Sequence, residues 1–451
     1  MTSNESSARE HIQPLIDAAL QAADPASAIE AHLRRDGRRL LVARHTYDLD
    51  QGHVYLIAAG KAALPMSTAA LEILGDDIWA GVIITKQAAE GASRRYVSSA
   101  GGRRNNLAIF EAAHPVSDRN GVRATAAAID LLQDTEQGDL VLFLLSGGAS
   151  ALLTQPLLPL GEWQQMIQAL LESGCTINEL NCVRKQLDSV KGGGLAAMAG
   201  PASTISLILS DVVGNPLDVI GSGPTVPNTE SPGDALTVLH RYDIMHRVTP
   251  ETWAVISEQL TDPRQARSLT KVEELEVRNV IVGDVRRAAM AAVEAARESG
   301  YRAELLTAHL QGEAREVGAV AAALARDLPP SHAWVLGGET TVTVRGEGTG
   351  GRNQELALAA AVGIEGCERC VIATFATDGE DGPTDAAGAI VTGETVTAAR
   401  SHNLDPQAFL DANDSYSFFI KLSHETGNDY LLRPGSTGTN VNDLLFILKP
   451  L

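Results

Sequence analysis

Apolar runs and Ala-rich amphipathic stretches alternate along nearly the whole chain. "HVYLIAAG" (53–60) is followed by "KAALPMSTAALEIL" and then by "GVIITK" (81–86). "DLVLFLLSGG" (139–148) is apolar at almost every position, the pattern of a strand covered on both faces, and "STISLILSD" (203–211) reads the same way. This β-α-β-α alternation predicts an α/β fold with parallel sheet and helices on both faces. The stretch 225–277 interrupts it with "PTVPNTESPGD", one helix and the polar "SEQLTDPRQARSLTKVEELE". The alternation restarts at "VRNVIVGD" (277–284). It continues through "VRRAAMAAVEAARESG", "YRAELLTA", "EAREVGAVAAALARDL" and "HAWVLGGETTVTV", the last read as strands. A chain of 451 residues exceeds one ordinary core. The reading is therefore two domains, 1–245 and 277–451, with 246–276 as a linker.

Composition narrows the class. Apolar residues are 44% and charged residues 20%, ordinary for a globular enzyme. Aromatics are only 4%, so Leu, Val, Ile and Ala must build the core. The net charge of −20, with no long basic run, argues against a nucleic-acid binder. No apolar run approaches the ~20 residues that span a bilayer, and "MTSNESSAREH" is no secretory signal. A cytoplasmic protein is expected, with no membrane partner, as a monomer or homodimer. Its four cysteines include "CERC" (367–370), which precedes the apolar strand "VIATFA" where a thioredoxin-like pair would follow one. Four reduced thiols are the expectation.

Candidate chemistry sits in Gly-rich turns at strand ends, where open α/β sheets place their ligands. "AAGKAA" puts Gly60 and Lys61 at a strand end opening a helix, a phosphate-binding arrangement, though not a Walker A loop. "LLSGGASALL" offers Ser146, Gly147, Gly148 and Ala149 as an anion cradle, without the G-x-S-x-G of a hydrolase elbow. "NCVRKQLDSVKGGGLA" crowds Arg184, Lys185 and Lys191 onto about one helix. Arg184 and Lys191, seven apart, are expected on one face. In "LILSDVVGNPLDVIGSGPT", Asp211 ends a buried strand, where a carboxylate can act as base or hold a metal. Gly337, Gly338 and Glu339 close another strand, and Asp378, Asp381 and Asp385 follow a third. "RGEGTGGRNQE" (345–355) matches the dinucleotide fingerprint G-x-G-x-x-G literally, with Asp378 at roughly the distance of its acidic partner. Arg352 as the first helical residue favours instead a more highly charged anion. The fingerprint alone leaves NAD, ATP or no ligand open.

"AAGKAA", "EAAHPVSD", "LLSGGASALL", "NCVRKQLDSVKGGGLA", "SDVVGNPLDVIGSGPTVP", "GGETTVTVRGEGTGGRNQE", "ATDGEDGPTDAAGA" and "TGTNVNDL" stand here in the order of the glycerate 2-kinase family. The chain resembles that family over about residues 10–449. Ser117 stands where the family's "HPVPD" has proline, and His114 is read as packing that turn. The resemblance implies a larger Rossmann-like α/β/α domain, a smaller α/β domain called MOFRL, and an active site in the cleft between them. It implies transfer of the ATP γ-phosphoryl group to the 2-hydroxyl of D-glycerate, with Mg2+, giving 2-phosphoglycerate. It puts the family's catalytic lysine and arginine on Lys61 and Arg352. Asp211 joins them as base or, with Asp378, as metal ligand. Gly60, Ser146 to Ala149, Arg184, Lys191, Gly337, Gly338, Glu339, Gly350, Gly351 and Asn353 are the expected substrate and nucleotide contacts. Some relatives carry the label hydroxypyruvate reductase, so the alternative is an NAD(P)H-dependent reductase. No His–Asp or His–Glu pair presents itself for that chemistry.

Overall fold

The computed structural model describes residues 4–86, 106–262 and 275–451. Two compact units divide the chain. One comprises Pro25–Ser210 and Asn215–Val282; the other comprises Met1–Asp24, Asp211–Gly214 and Gly283–Leu451. The opening helix α1 (Asn4–Ala22) thus goes with the C-terminal unit, whereas the sequence reading kept it in 1–245. Its Ile12, Leu15, Ile16 and Ala19 repeat at helical spacing and are fully buried. Of the expected linker, residues 263–274 lie outside the described residues.

The N-terminal unit opens with a small antiparallel sheet of β1 (Leu33–Asp36), β2 (Arg39–Val42) and β3 (His45–Asp48). Its main sheet holds β4 (Val54–Ala59), β5 (Ile78–Thr85), β6 (Asn106–Glu111), β7 (Leu140–Leu145), β8 (Ser203–Leu209) and β9 (Val277–Gly283), in the order β6-β5-β4-β7-β8-β9. The pairings from β6 across to β8 are parallel. Every residue of β4 and β7 is buried, as their unbroken apolar runs required. The chain winds outward from β4 to β6, then returns to begin β7 on the other side. The switch point therefore lies between the carboxyl ends of β4 and β7. Helices α2 (Ala63–Leu74), α3 (Ala149–Leu152) and α4 (Ile177–Leu187) follow in this unit. The strand read as opening the second domain is β9, and it joins this first sheet. Hydrophobic periodicity reports that a strand is buried, not which sheet receives it.

The C-terminal unit contains α5 (Val285–Glu298), β10 (Arg302–Leu310), α6 (Ala314–Asp327), β11 (His332–Gly338), α7 (Arg352–Gly363), β12 (Val371–Ala376), β13 (Gly388–Thr392), β14 (Leu431–Leu432) and β15 (Asp443–Lys449). Its strand order is β10-β11-β15-β12-β13-β14. The expected parallel sheet is in fact mixed. β10 and β11 are parallel, but β15 inserts antiparallel between β11 and β12. "TTVTV" does not continue as a strand after Gly338; only an isolated bridge from Thr341 to Glu313 forms. Helices α6 and α7 approach closely on small residues: a Cβ at Gly318 would lie 2.5 Å from the Leu356 carbonyl oxygen. Close alanine packing thus replaces the bulk that so few aromatics cannot supply.

Cys367 and Cys370 are joined in a disulfide, against the expectation of reduced thiols, with Cα atoms 5.7 Å apart. Cys175 and Cys182 are free. Among the described residues no helix is long and apolar enough to cross a membrane.

Candidate active site

At the switch point of the first sheet, two Gly turns lock together. The turn after β4 carries Gly60 and Lys61; the turn after β7 carries Ser146 to Gly148. The Lys61 amide donates to the Gly147 carbonyl (2.8 Å), and the Ala62 amide donates to Ser146 Oγ (3.0 Å). Helix α2 has Ala62 at its N-cap and no capping side chain of its own, so Ser146 supplies the missing acceptor. Gly60 has φ +132°, and a Cβ there would stand 2.1 Å from Ser146 Oγ, so no other residue fits. The lock leaves the Lys61 side chain exposed. A Cβ at Gly148 would meet His114 Cδ2 at 3.2 Å and Lys61 Cγ at 3.5 Å, so these three residues are neighbours.

Helix α4 begins in a capping box, Thr176 with Glu179, and carries Arg184 and Lys185 in its last turn. It ends at Leu187, so Lys191 lies in the following turn and does not share a helical face with Arg184 as expected. The Lys191 side chain turns inward. It is wholly buried, and its ammonium donates to the carbonyls of Ser150 (2.9 Å) and Leu153 at the end of α3. Burial lowers its pKa to about 8. Its role is support beneath the Ser146–Ala149 turn. Lys185 is paired with Asp218 (3.0 Å) and Glu230 (3.3 Å). Arg184 differs: it is 6% exposed and has no hydrogen bond or ion pair among the described residues. Asp188 pulls against the desolvation that brings Arg184 down to about 10. Yet Asp188's oxygens accept from Thr154 Oγ1 (2.6 Å), the Gln155 amide (3.1 Å) and the Val190 amide (3.0 Å). A buried, charged guanidinium without its own acceptor is costly unless an anion completes it.

His114 stands in this cationic field. Burial first, then the charges of Lys61, Lys86 and Arg184, lower its pKa from 6.5 to about 4. The folded value lies below the ordinary one, so the neutral ring's contribution to stability is complete above about 6.5 and is lost as pH falls toward 4. The sequence reading made His114 a packing residue; its position beside Lys61 makes it a reporter on the site. An anion bound among these cations cancels part of their field. Saturating D-glycerate or phosphate should therefore raise the His114 titration midpoint, followed by its ring proton resonances in NMR. An unmoved midpoint would place the anion elsewhere.

In the C-terminal unit the fingerprint loop is occupied by its own chain. The amides of Arg345 and Gly346 donate to Asn413 Oδ1, that of Gly348 to the Ala412 carbonyl, and that of Thr349 to Asp414 Oδ1. Cβ atoms at Gly346, Gly348 and Gly350 would collide with Ala412, Asp414 and Ser415 respectively. At the N-terminus of α7, the Asn353 and Gln354 amides donate to the Asp381 carboxylate (3.0 and 2.9 Å). The anion that a dinucleotide site would leave for pyrophosphate is here an aspartate. The Asn353 amide is thus taken by Asp381, and Gly350 and Gly351 are small because Ser415 and Asp381 stand against them. Gly337 and Gly338 admit Val285 and the Leu310 backbone. Asp381 is 2% exposed; burial raises its pKa to about 6, against the amide hydrogen bonds that lower it. A Cβ on Gly351 would lie 2.2 Å from Asp381 Cγ. Gly351→Ala should therefore destabilise the protein by at least ~1–3 kcal/mol, as overpacking against a fixed group does. A thermal melt unchanged from wild type would show that the carboxylate can step aside.

What remains available is Arg352, the first residue of α7. Its Nε and Nη2 donate to Asp443 (2.5 and 3.0 Å), and its Nη1 meets Glu339 Oε1 at 2.9 Å. Burial would lower its pKa, but the Asp443 hydrogen bonds and the two carboxylate charges outweigh it and raise it. Asn442 Nδ2 donates to Glu339 Oε2 (3.1 Å) and to the Asp211 carbonyl (2.6 Å). The sequence reading missed Asp443 and Asn442. Asp443 begins β15, and only the antiparallel insertion of that strand brings its start beside the carboxyl ends of β11 and β12. Among the described residues, no three His, Cys, Asp or Glu side chains are arranged to hold a metal ion.

Comparison with known proteins identifies the family. The DUF4147 family, described as a domain of unknown function, matches residues 11–257, and the MOFRL family matches 332–443. A D-glycerate 2-kinase of Thermotoga maritima is 41% identical over 406 residues, covering 88% of this chain and 91% of that protein. The chain belongs to the glycerate 2-kinase family. A human glycerate kinase is 36% identical, covering 98% of this chain and 93% of its own. A crystal structure of glycerate kinase from Thermotoga maritima superposes with a TM-score of 0.83 at 38% identity, covering 98% of this chain and 99% of that one. Family membership thus extends over both units.

Proposed function

We propose that the protein phosphorylates D-glycerate at its 2-hydroxyl with ATP, giving 2-phosphoglycerate and ADP. One observation carries this reading. The amides of Arg345, Gly346, Gly348, Thr349, Asn353 and Gln354 are bonded to the chain itself, while cations remain for anions: Lys61 exposed, and Arg184 buried with no hydrogen bond or ion pair among the described residues. That is the inventory phosphoryl transfer needs, because the reaction spreads negative charge over phosphate oxygens and is accelerated chiefly by positioning and charge neutralisation. It is a poor inventory for hydride transfer, so the reductase reading loses its main support.

The proposed roles follow from each residue's surroundings. Arg352 stabilises the transferring phosphoryl group with the guanidinium N–H groups that Asp443 leaves over. Lys61 neutralises phosphate oxygens from its rigid turn. Arg184, beside neutral His114 and the Ser146–Ala149 turn, takes the glycerate carboxylate. Asp211 accepts the hydroxyl proton. Magnesium requires only one or two protein carboxylates when phosphates complete its shell. The donors fit: Asp211 and Asp378 are hard oxygen ligands, and the buried Asn442 Oδ1 has no hydrogen-bond partner among the described residues. Asp211 and Asp378 would hold the ion, which neutralises phosphate charge when bound with the nucleotide. The test is product formation from D-glycerate and Mg-ATP read through added enolase, which dehydrates only 2-phosphoglycerate. ADP release without the enolase signal would mean another position or acceptor. NADH consumption with hydroxypyruvate, and no ADP, would overturn the proposal.

A further inference from the structure

We propose that the two carboxylates on Arg352 do different work: Asp443 is a permanent strut that fixes the guanidinium, and Glu339 is a displaceable carboxylate that phosphate oxygens replace. The inference rests on the reading of Arg352 as the group that stabilises the transferring phosphoryl.

The geometry separates the two. Asp443 begins β15, the strand hydrogen-bonded on both sides, with Gly338 of β11 and Ala376 of β12 as register partners. The segment leading to it is stitched to the end of β12. Thr437 Oγ1 donates to the Thr377 carbonyl (2.5 Å), and the Val441 amide donates to Thr377 Oγ1 (2.9 Å). The Asp443 side chain is 10% exposed and takes the Nε–Nη2 edge of Arg352 with both oxygens, the bidentate mode that fixes orientation as well as charge. Its backbone is fixed by the sheet, and turning its side chain away would break both hydrogen bonds to the guanidinium at once.

Glu339 lies one residue beyond β11, and its side chain is 43% exposed. It reaches only Nη1, with one oxygen, and its other oxygen is held by a single Asn442 amide. Burial first, then the charges of Asp443 and Asp211, make its ionised form less comfortable, against the pull of Arg352. Rotating this side chain away costs no backbone hydrogen bond. A guanidinium carries five N–H donors. Asp443 uses two, and release of Glu339 frees the Nη1–Nη2 end, a fork that matches two oxygens of a phosphoryl group. Glu339 therefore keeps the cation compensated between turnovers, and Asp443 keeps it aimed.

A kinetic cycle tests this on the full-length protein. Asp443→Asn keeps the shape and removes the charge. It should lower kcat about 10- to 100-fold with little change in the KM for D-glycerate. In an Arg352→Ala background the same substitution should lower kcat no further, because the strut has nothing left to hold. Glu339→Gln should tighten ATP binding severalfold, measured as a dissociation constant without glycerate, because the competing carboxylate is gone. This last measurement stands even if Asp443→Asn folds poorly. An equal loss from Asp443→Asn in both backgrounds, or weaker ATP binding by Glu339→Gln, overturns the proposal and leaves the reading of Arg352 intact. A wild-type rate for Arg352→Ala removes that reading and the proposal together.

Discussion

Arg352→Ala should lower kcat by about 10³-fold or more, the scale of losing an arginine that stabilises a phosphoryl-transfer transition state. The loss should fall on kcat and kcat/KM alike, since the interaction is strongest in the transition state. The variant should also be less stable than wild type. Asp443 is buried, and its two strongest hydrogen bonds come from Arg352. Removing one member of such a pair leaves a carboxylate that burial drives toward its protonated form. Its folded pKa then lies above its unfolded one. The variant's deficit should accordingly be small in acid and grow as pH rises toward neutrality. Thermal melts at pH 5 and pH 7, each paired with wild type, check the sign. A deficit that grows in acid instead would mean Asp443 does not carry the charge.

Lys61→Met should cost about 10²–10³ in kcat, the range for removing one preorganised charge-stabilising group. Here the melt should barely move, within ~0.5 kcal/mol, because the side chain is exposed and the turn is held by its backbone amide. The two variants thus separate a cation that is part of the architecture from one that the architecture only presents. A wild-type rate for Lys61→Met would remove it from the chemistry. A large fall in stability would mean that the lysine, and not the Ser146–Ala62 bond, holds the turn.

The parts legible in the sequence are those governed by local pattern. The apolar runs of β4, β7 and β8 gave three buried strands within a residue or two, and the glycines after β4 and β7 marked the switch point. The missing parts depend on partners distant in the chain. Arg184 and Lys185 are adjacent and both buried, yet Lys185 is paired by Asp218 and Glu230 and Arg184 has no ion pair among the described residues. No periodicity distinguishes them. Lys191 was placed by extending a helix that stops at Leu187. The fingerprint "GEGTGG" left its ligand open because what its glycines admit, Ala412, Asp414 and Ser415, and the Asp381 carboxylate on the α7 amides lie far along the sequence. Asp443 escaped the strand-end argument because it begins its strand, and only the antiparallel placement of β15 brings it to the carboxyl ends of β11 and β12.

The placement of α1 bears on how the protein is made. Its buried face, Ile12, Leu15, Ile16 and Ala19, packs on α5 and β13, which are translated long after it. At ~5–20 residues per second, α1 waits on the order of 15–50 s outside the ribosome before α5 appears. The N-terminal unit has its strands in hand by Val282 and can fold in that interval. A helix made before the elements it packs on is then among the last to dock. Ribosome-stalled chains ending before Gly283 should yield α1 to protease while the sheet of β4 and β7 resists, and full-length chains should protect both. Early protection of α1 would mean it finds a temporary shelter during synthesis. During that interval the nascent chain carries α1 with its apolar face uncovered, which is the kind of surface that chaperones of the ribosome exit bind.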